Sequence, residues 1–343
     1  MRFSLLSVPK GKAGGATFLK ALKNVLKNDS RYTSNWENAD VILLNSHHWL
    51  KELFKLIFLR LKGKKFIIRI DGPLQVYRRN FFSIFEDKII YSISKNLCSG
   101  IIYQSYWSSE RNKNIDKKLK NIPDRVIYNG CVKDTANKKI KKYDYCLFVS
   151  NSNNPLKGIN LFKELAYKSK FSKNLNKLKF FVIGNFVECN DDLNYVNLGV
   201  LSKKKLAKWM NKSKYYIHAS KYEACSNALL EAIKFNMIPF ISATSSNIEL
   251  VKDARLQFSS LDELIFKLET LMQEKTFKPI GLLNTDINLV SKNYLEFFDE
   301  IFRNEKIEYK FTILNFINIL YTYFQYLVAK IIFMFLQKIK KLF

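Results

Sequence analysis

Short apolar runs alternate with longer amphipathic stretches along most of this chain. Apolar runs of a few residues are typical of buried strands, and apolar residues spaced by three and four are typical of helices that cover a sheet. Strands are predicted at residues 2–8, 41–45, 66–70, 100–104, 125–128, 143–149, 179–183, 195–198, 215–219 and 237–242. Helices are predicted at 17–26, 159–168, 203–211, 227–235, 261–273 and 289–304. Because strands that alternate with helices form parallel sheets covered on both faces, we expect an α/β protein.

A polar, charged segment at 134–142 (DTANKKIKK) separates two halves of similar size. Its composition is typical of a linker. We therefore predict two doubly wound, Rossmann-like domains that face each other across a cleft. Ligands of such sheets bind at the carboxyl ends of the strands, so the cleft is the expected site. The predicted limits are 1–138 and 139–287 for the two domains, 288–306 for a closing helix and 307–343 for a tail.

The tail differs from the rest of the chain in its pattern. Residues 311–329 carry no charge, and Lys330 follows them. Polar residues recur every three or four positions and form a narrow stripe on an otherwise apolar helix. This pattern favours an amphipathic helix that lies in a membrane interface, while a helix packed on protein and a spanning helix stay open. The stripe consists of Thr312, Asn315, Asn318, Thr322 and Gln325.

A second stretch at 49–65 (WLKELFKLIFLRLKGKK) is apolar, aromatic and basic. It is compatible with contact to anionic lipid. An ordinary helix that covers the first sheet is the favoured interpretation, because amphipathic helices of this length are common in α/β domains.

The charge balance indicates a polyanionic partner. The chain has 57 Lys and Arg against 30 Asp and Glu, a formal net charge of +27. Nucleic acid, an anionic membrane and phosphorylated substrates all fit this surplus, and part of it is expected to be a solvated lysine-rich surface. No helix-turn-helix, RNP-like or zinc-finger pattern occurs, which argues against nucleic acid.

Cysteine and histidine usage indicates the compartment. The five cysteines contain no C-x-x-C pair, and the three histidines are scattered. The sequence therefore predicts neither a disulfide framework nor a metal site, and it favours a reducing, cytoplasmic environment. The apolar run at the N-terminus is too short for a signal peptide.

Two glutamates frame the strongest candidate for chemistry. Glu223 follows the predicted strand YYIHAS, and Glu231 lies about one turn inside the next helix, with Ser226 as a good N-cap. The backbone N–H groups of Cys225, Ser226, Asn227 and Ala228 would point out of the helix N-terminus, which is an anion site suited to a diphosphate. Flanking carboxylates could accept hydrogen bonds from sugar and ribose hydroxyls. The spacing by itself is more typical of a loop charge and a surface charge.

The order of motifs changes that interpretation. Over residues 1–305 the chain resembles the retaining glycosyltransferases of family 4, which have the two-domain GT-B fold. Each motif is weak alone, but together they follow the order expected for the family. The motifs are GG at 14–15, RIDGP at 69–73, YQS at 103–105, IYNG at 127–130, PLKG at 155–158, FVIG at 181–184, the E-x7-E pair with EAIKFNMIPFIS, and IELV at 248–251.

The resemblance implies a donor site in the second domain. Lys157, followed by Gly158, would hold the donor diphosphate as a compact charge. Glu223 would contact hydroxyls of the donor sugar, and Glu231 would bind the ribose. The remaining donor-binding residues implied by the family are Gly14, Gly15, Gly184, Cys225, Ser226, Asn227 and Glu249.

Asp71 is the catalytic candidate of the first domain. The resemblance implies that Asp71, with Arg69, lines the acceptor side or the donor sugar. Gly14 and Gly15, in a predicted turn at 11–16, would let the first loop approach the diphosphate closely.

The chain departs from the family pattern at two points. Asn151 and Ser152 stand where the family often has an arginine, so Lys157 would carry the phosphate charge with less help. Asn236 stands at a usual glycine, and asparagine tolerates the left-handed conformation that a helix C-terminus needs.

The family implies transfer with retention and without a divalent metal, and no DxD motif is placed to hold one. Lys157 and the helix N-terminus would stabilise the leaving nucleoside diphosphate, and domain closure would exclude water. We expect no covalent nucleophile and no cofactor beyond the nucleotide-sugar substrate.

The leading hypothesis is therefore a bacterial hexosyltransferase that moves a sugar from a nucleotide-sugar to a lipid-linked glycan. Its product would be an O-antigen (lipopolysaccharide), capsule or exopolysaccharide unit, and its place the inner face of the cytoplasmic membrane. The alternative is a non-catalytic glycan- or membrane-binding subunit on a decayed GT-B scaffold.

Overall fold

The computed structural model describes residues 1–6, 14–46, 50–132, 141–152, 154–186, 194–274, 276–283, 285–304 and 311–339. Within those limits the chain forms two compact units. The first unit takes in residues 1–6, 19–128 and 288–339, and the second takes in 14–18 and 129–287. The sequence-based domain limits stay predictions.

Strands and helices alternate through both units, as the apolar pattern predicts. The strands are β1 (Phe3–Leu5), β2 (Val41–Asn45), β3 (Lys65–Ile70), β4 (Gly100–Tyr103), β5 (Asp124–Val126), β6 (Tyr143–Val149), β7 (Lys179–Ile183), β8 (Tyr195–Asn197), β9 (Ser213–His218), β10 (Ile238–Ser242) and β11 (Gln257–Phe258). The helices are α1 (Gly14–Leu26), α2 (Leu53–Leu61), α3 (Leu74–Arg78), α4 (Phe81–Asn96), α5 (Tyr106–Ile115), α6 (Ile159–Ser169), α7 (Lys203–Lys212), α8 (Asn227–Lys234), α9 (Asn247–Leu250), α10 (Leu261–Gln273), α11 (Ile287–Arg303) and α12 (Ile313–Ile339).

The first unit is built on a parallel sheet in the order β1-β2-β3-β4-β5. Alternate strand residues such as Ile42 and Phe66 pack against α2 and α4 in one buried cluster. Helix α11 lies against β4, since a Cβ added at Gly100 would come within 2.9 Å of Ile301 Cδ1. The Lys65 ammonium donates to the carbonyls of Ile301 and Phe302 and so caps α11.

Helix α2 covers this sheet, as the favoured interpretation of residues 49–65 expected. Leu53, Leu56 and Ile57 are buried in the same cluster as the strands. On its other face, Phe54 and Phe58 are exposed.

Helix α12 packs along α4, and polar residues of its stripe lie in that contact. Asn315 Nδ2 donates to Asn96 Oδ1 at 3.0 Å, and Thr322 Oγ1 donates to Ser92 Oγ at 3.0 Å. Asn315 is buried, while Thr312 and Asn318 are exposed. Part of the stripe, at Asn315 and Thr322, therefore packs against α4, while Thr312 and Asn318 remain exposed.

The opposite face of α12 is apolar and exposed. Among the described residues, α12 is the helix that is long and apolar enough to cross a membrane, judged by length and composition alone. Its exposed side chains are Ile313, Leu314, Ile317, Tyr321, Phe324, Leu327, Val328, Ile331, Ile332, Met334, Phe335 and Leu336.

The second unit contains a parallel sheet in the order β11-β10-β9-β6-β7-β8. Strand β9 pairs with both β6 and β10. The carboxyl ends of these three neighbouring strands therefore lie at one edge of the sheet, and their loops can converge there.

We expect Gly158→Ala to destabilise the protein strongly. Gly158 has φ 79°, and an ideal Cβ there would lie 2.5 Å from both Cβ and the carbonyl oxygen of Ala219. Backbone strain and overlap together predict a loss of about 3 kcal/mol in the free energy of unfolding, measured by urea denaturation. Gly199→Ala is the matched control, because Gly199 has φ 65° and nothing within 4 Å, so about 1 kcal/mol is expected. Equal losses would contradict the steric argument.

Candidate functional site

Lys157 is presented by a tight turn at the carboxyl end of β6. Residues Pro155–Lys157 form one turn of 3-10 helix, and the Asn154 side chain accepts a hydrogen bond from Leu156 N at 2.9 Å as its N-cap. Proline suits this first position because its φ is preset. Gly158 then reverses the backbone in a left-handed conformation before α6 begins.

The turn that carries Lys157 is held against the loop after β9. Lys221 N donates to Leu156 O at 2.9 Å, and Gly158 packs directly on Ala219. Gly184, at the end of β7, approaches Ser150 so closely that a Cβ would overlap the Ser150 carbonyl oxygen. The two glycines are therefore required for close approach of loops within the second unit.

Lys157 and Glu223 form a partly buried ion pair. The distance from Lys157 Nζ to Glu223 Oε1 is 2.5 Å, and the two side chains are 20 % and 14 % exposed. Burial acts to raise the pKa of Glu223, but the ammonium of Lys157 and smaller contributions from His218 and from hydrogen bonds together hold that pKa below its usual value. Two residues that the resemblance implied for the donor site are thus brought together, 66 positions apart in the chain.

His218 is a third member of this cluster, and sequence reasoning missed it. Its Nε2 lies 4.0 Å from Glu223 Oε1, and its Nδ1 lies 3.4 Å from the Tyr216 hydroxyl. Within the part of the chain that the structure describes, Nε2 has no hydrogen-bond partner. Burial lowers the pKa of His218 to about 4, with Lys157 adding to the effect against the opposing influence of Glu223. The signal in the sequence was an ionisable residue at the end of the otherwise apolar strand YYIH.

The N-terminus of α8 lies in the same loop. Ser226 Oγ accepts from Leu229 N at 3.3 Å and caps the helix, as predicted from the sequence. Asn129 Nδ2 donates to Cys225 O at 3.1 Å and to Asn227 Oδ1 at 3.2 Å. No acidic residue occupies the first turn of α8, so its positive end is not neutralised by the helix itself.

The other candidate glutamates lie on neighbouring helices of the second unit. Glu231 is half-buried on α8, and burial raises its pKa while Lys203 and Lys234 oppose the rise. Glu249 lies on α9, and the preceding Asn247 ties the loops after β9 and β10 by donating to Ser220 O at 2.9 Å.

The structure also locates the departures from the family pattern. Asn236 has φ 52°, so asparagine adopts the left-handed conformation expected of it after α8. At the position of the usual arginine, Ser152 Oγ accepts a hydrogen bond from Asn154 N at 3.2 Å and helps to shape the turn.

Gly14 and Gly15 do not form a turn as the sequence predicted. They are the first two residues of α1, which begins earlier than the predicted residue 17. An ideal Cβ at Gly15 would meet no atom within 4 Å, so space is open beside this helix end. The rest of the predicted turn, residues 11–13, lies outside the described residues.

Asp71 is the centre of a separate polar cluster in the first unit. Arg69 Nη1 lies 3.3 Å from Asp71 Oδ1, Ser46 Oγ donates to Asp71 Oδ2 at 3.2 Å, and Gln104 Nε2 also donates to this carboxylate. The Arg69 side chain is 1 % exposed and that of Asp71 is 48 % exposed. Ser46 follows β2, Asp71 follows β3 and Gln104 follows β4. The carboxyl ends of three adjacent strands therefore position one exposed carboxylate.

The backbone around Asp71 is also fixed by hydrogen bonds from side chains. Ser108 Oγ and Asn112 Nδ2 donate to the Asp71 carbonyl at 3.1 and 2.9 Å. Asp87 accepts from Leu74 N and Gln75 N, both at 2.9 Å, and so fixes the start of α3 just beyond the RIDGP segment.

Among the described residues, no group of three or more His, Cys, Asp and Glu side chains is arranged to hold a metal ion. The candidate donor site and the Asp71 cluster each rely instead on ion pairs, amides and backbone groups.

Comparison with known proteins identifies the fold. No protein-family model matches the sequence, and no curated protein matches it. Solved structures match over most of the chain. HepE of Anabaena, in complex with UDP and glucose, aligns with a TM-score of 0.65 at 13 % identity and covers 88 % of this chain and 100 % of its own.

Two further structures agree. A UDP-forming α,α-trehalose-phosphate synthase of Burkholderia xenovorans aligns with a TM-score of 0.54 at 10 % identity, over 84 % of this chain and 78 % of its own. The pneumococcal O-GlcNAc transferase GtfA, in complex with UDP and GlcNAc, aligns with a TM-score of 0.52 at 10 % identity, over 77 % of this chain and 57 % of its own. These proteins have the GT-B fold, so the predicted fold of this chain is confirmed.

We expect His218 to make the protein less stable in acid. Because its folded pKa of about 4 lies below the ordinary value near 6.5, the unfolded chain binds more protons between these values, and stability falls as the pH drops through them. The loss should reach about 3 kcal/mol between pH 7 and pH 4 relative to His218→Gln. Urea unfolding at several pH values measures it, and parallel pH profiles of the two proteins would contradict it.

Proposed function

We propose that this protein is a retaining glycosyltransferase of the family 4 type, which transfers a hexose from a nucleotide-sugar to a glycan acceptor. The observation that carries the proposal is the partly buried Lys157–Glu223 pair beside the N-terminus of α8. The GT-B fold supports it, and so do similar structures solved with UDP.

Lys157 and α8 would provide the positive charge of the donor site. The Lys157 ammonium would exchange Glu223 for the diphosphate, and the backbone N–H groups of Cys225, Ser226 and Asn227 would bind its other oxygens. Because both groups meet charge that grows on the leaving nucleoside diphosphate, they stabilise the transition state more than the bound donor. No step of this proposal needs a divalent metal or a covalent nucleophile.

The carboxylates would then orient the donor. Glu223 would accept hydrogen bonds from hydroxyls of the sugar, and Glu231 from those of the ribose. Gly158 and Gly184 keep the loops around Lys157 in place, Gly14 and Gly15 would leave room for the diphosphate, and Glu249 would lie near the donor. Asp71, held by Arg69, would act on the acceptor side, where its exposed carboxylate can bind the hydroxyl that attacks.

The proposed acceptor is a lipid-linked glycan of a cell-surface polysaccharide, taken from the inner face of the cytoplasmic membrane. The exposed apolar face of α12 supports this proposal, together with the exposed Lys330 and Lys338 and the net charge of +27. A spanning helix would have to leave α4 and give up the Asn315–Asn96 hydrogen bond. An orientation in the plane of the membrane keeps that bond and buries the apolar face.

A non-catalytic subunit on a decayed scaffold is the second candidate. The absence of a basic residue at Asn151 and Ser152 is the observation that favours it. This candidate predicts no turnover with any donor, whereas the intact Lys157–Glu223 pair predicts turnover.

We expect Lys157→Ala and Glu223→Ala each to lower kcat/KM by at least about 100-fold, since each removes a group that acts on the leaving diphosphate or the sugar. Release of nucleoside diphosphate is measured with membranes as acceptor source, after a thermal-shift screen of UDP-, GDP-, ADP- and dTDP-sugars has identified the donor. Lys168→Ala and Glu164→Gln, exposed residues of α6, are matched controls. Undiminished turnover in Glu223→Ala would refute the assigned site.

We expect the double variant Phe324→Ser/Ile331→Ser to bind vesicles of phosphatidylglycerol and phosphatidylethanolamine at least about tenfold more weakly, because both exposed side chains lie on the apolar face of α12. Phe171→Ser/Phe266→Ser changes equally exposed residues of the second unit and is the control. These substitutions are preferable to truncation, since Ile319 and Tyr326 of α12 are part of the core. Equal binding by both double variants would exclude this face as the docking surface.

A further inference from the structure

We propose that His218 is a positioning residue that takes up a proton when the nucleotide-sugar binds and replaces Lys157 as the partner of Glu223. The inference rests on the proposed donor site and adds a proton to the reaction that fills it. It assigns a role to a buried ionisable group that the transfer mechanism leaves unused.

Three side chains set up the exchange in the donor-free protein. Lys157 is bound to Glu223 at 2.5 Å, and His218 Nε2 lies 4.0 Å from the same oxygen, Oε1. His218 is 6 % exposed, and its Nε2 has no hydrogen-bond partner in the described chain. Glu223 therefore has one cationic partner in place, and a second ionisable group lies within about 1 Å of hydrogen-bond distance.

Donor binding disturbs this arrangement. A diphosphate that draws the Lys157 ammonium away leaves the Glu223 carboxylate buried without its cation. Hydrogen bonds from the sugar hydroxyls would not supply a positive charge, and a largely buried carboxylate without a cation is unfavourable, so a new positive partner is favoured wherever one can form. The His218 imidazole is the side chain already facing Oε1.

The proton balance follows from the surroundings of His218. In the donor-free protein the ring is neutral, because burial and then Lys157 lower its pKa against the pull of Glu223. When Lys157 moves away, the charge that lowered the pKa of His218 is gone, while Glu223 still raises that pKa. One proton then passes from solvent to the imidazole, Nε2–H donates to Glu223 Oε1, and no covalent bond is made or broken.

The other groups around His218 do not compete for this proton. The Tyr216 hydroxyl at Nδ1 is buried, and burial first, then Glu223 and Glu231, raise its pKa far above neutrality, so it stays a neutral partner. The Asn247 amide also acts to raise the pKa of His218 and carries no charge. Glu231 is the remaining titratable group to test, since burial raises its pKa as well.

Calorimetry with UDP-glucose, or with the member of the sugar-nucleotide screen that binds, tests the proposal. Each phosphate of such a donor has one ester bond and one anhydride bond and keeps a single, strongly acidic oxygen, so the ligand itself does not titrate near neutral pH. Titrations near pH 6 in two buffers of different ionisation enthalpy should show uptake approaching one proton per donor bound. The affinity for the donor should increase by up to about tenfold for each unit by which the pH is lowered, down to about pH 4.

Two variants locate the proton. His218→Gln keeps an N–H donor without a charge, so we expect it to bind the donor with no proton uptake and a flat pH profile. Glu231→Gln removes a proposed ribose contact, so we expect weaker donor binding, but the proton uptake per donor bound should be unchanged. If His218→Gln does not fold, proton NMR of the wild-type imidazoles with and without donor reports the same protonation, since the chain has three histidines.

The possible failures are distinct. Donor binding without proton uptake, or uptake that persists in His218→Gln and disappears in Glu231→Gln, would overturn this inference and leave the proposed function intact. Failure of every sugar-nucleotide to bind would overturn the proposed function itself.

Discussion

The candidate site of the second unit is built around one partly buried ion pair. Lys157 and Glu223 come from turns after different strands, so the pair exists only while those turns are held together. Gly158 and the Lys221 N–Leu156 O hydrogen bond provide that contact. A buried charge that loses its partner is costly, and the site is therefore either paired or occupied by something that replaces the partner. A ligand with two phosphates meets that requirement for Lys157, which links the architecture of these loops to the proposed donor.

The polar cluster of the first unit is more exposed than the ion pair of the second unit. Its Asp71 carboxylate is half-exposed and is oriented by neighbours at the ends of three strands, with Arg69 buried beneath it. Orientation without full burial suits a group that must reach an incoming hydroxyl. In the same unit, α12 is fixed on α4 by hydrogen bonds and ring contacts such as Phe82 with Phe333. The rotation of α12 is thereby set, and its apolar face points away from the protein it is anchored to.

The large net positive charge of the chain comes from residues with different roles. Much of it is solvated lysine, as the exposed Lys168 and Lys204 illustrate. A small part is partly buried and makes specific contacts, at Lys157 and at Lys65 and Lys142, which bind carbonyl groups at the ends of α11 and α7. Net charge alone therefore says little about the site, since the cation that matters most there is one of 57 basic residues.

The sequence by itself determined the alternation of strands and helices, the GT-B fold, the cap at Ser226 and the left-handed Asn236, because these depend on local preferences and on motif order. It misplaced the start of α1 and overlooked His218, and it did not show which way the polar stripe of α12 faces. Only the tertiary structure decided these points. The Thr322–Ser92 contact joins residues 230 positions apart, and the neighbours that make His218 neutral include Lys157 from another strand's loop. Periodicity identifies a face, but the partner of that face is set by packing between distant segments.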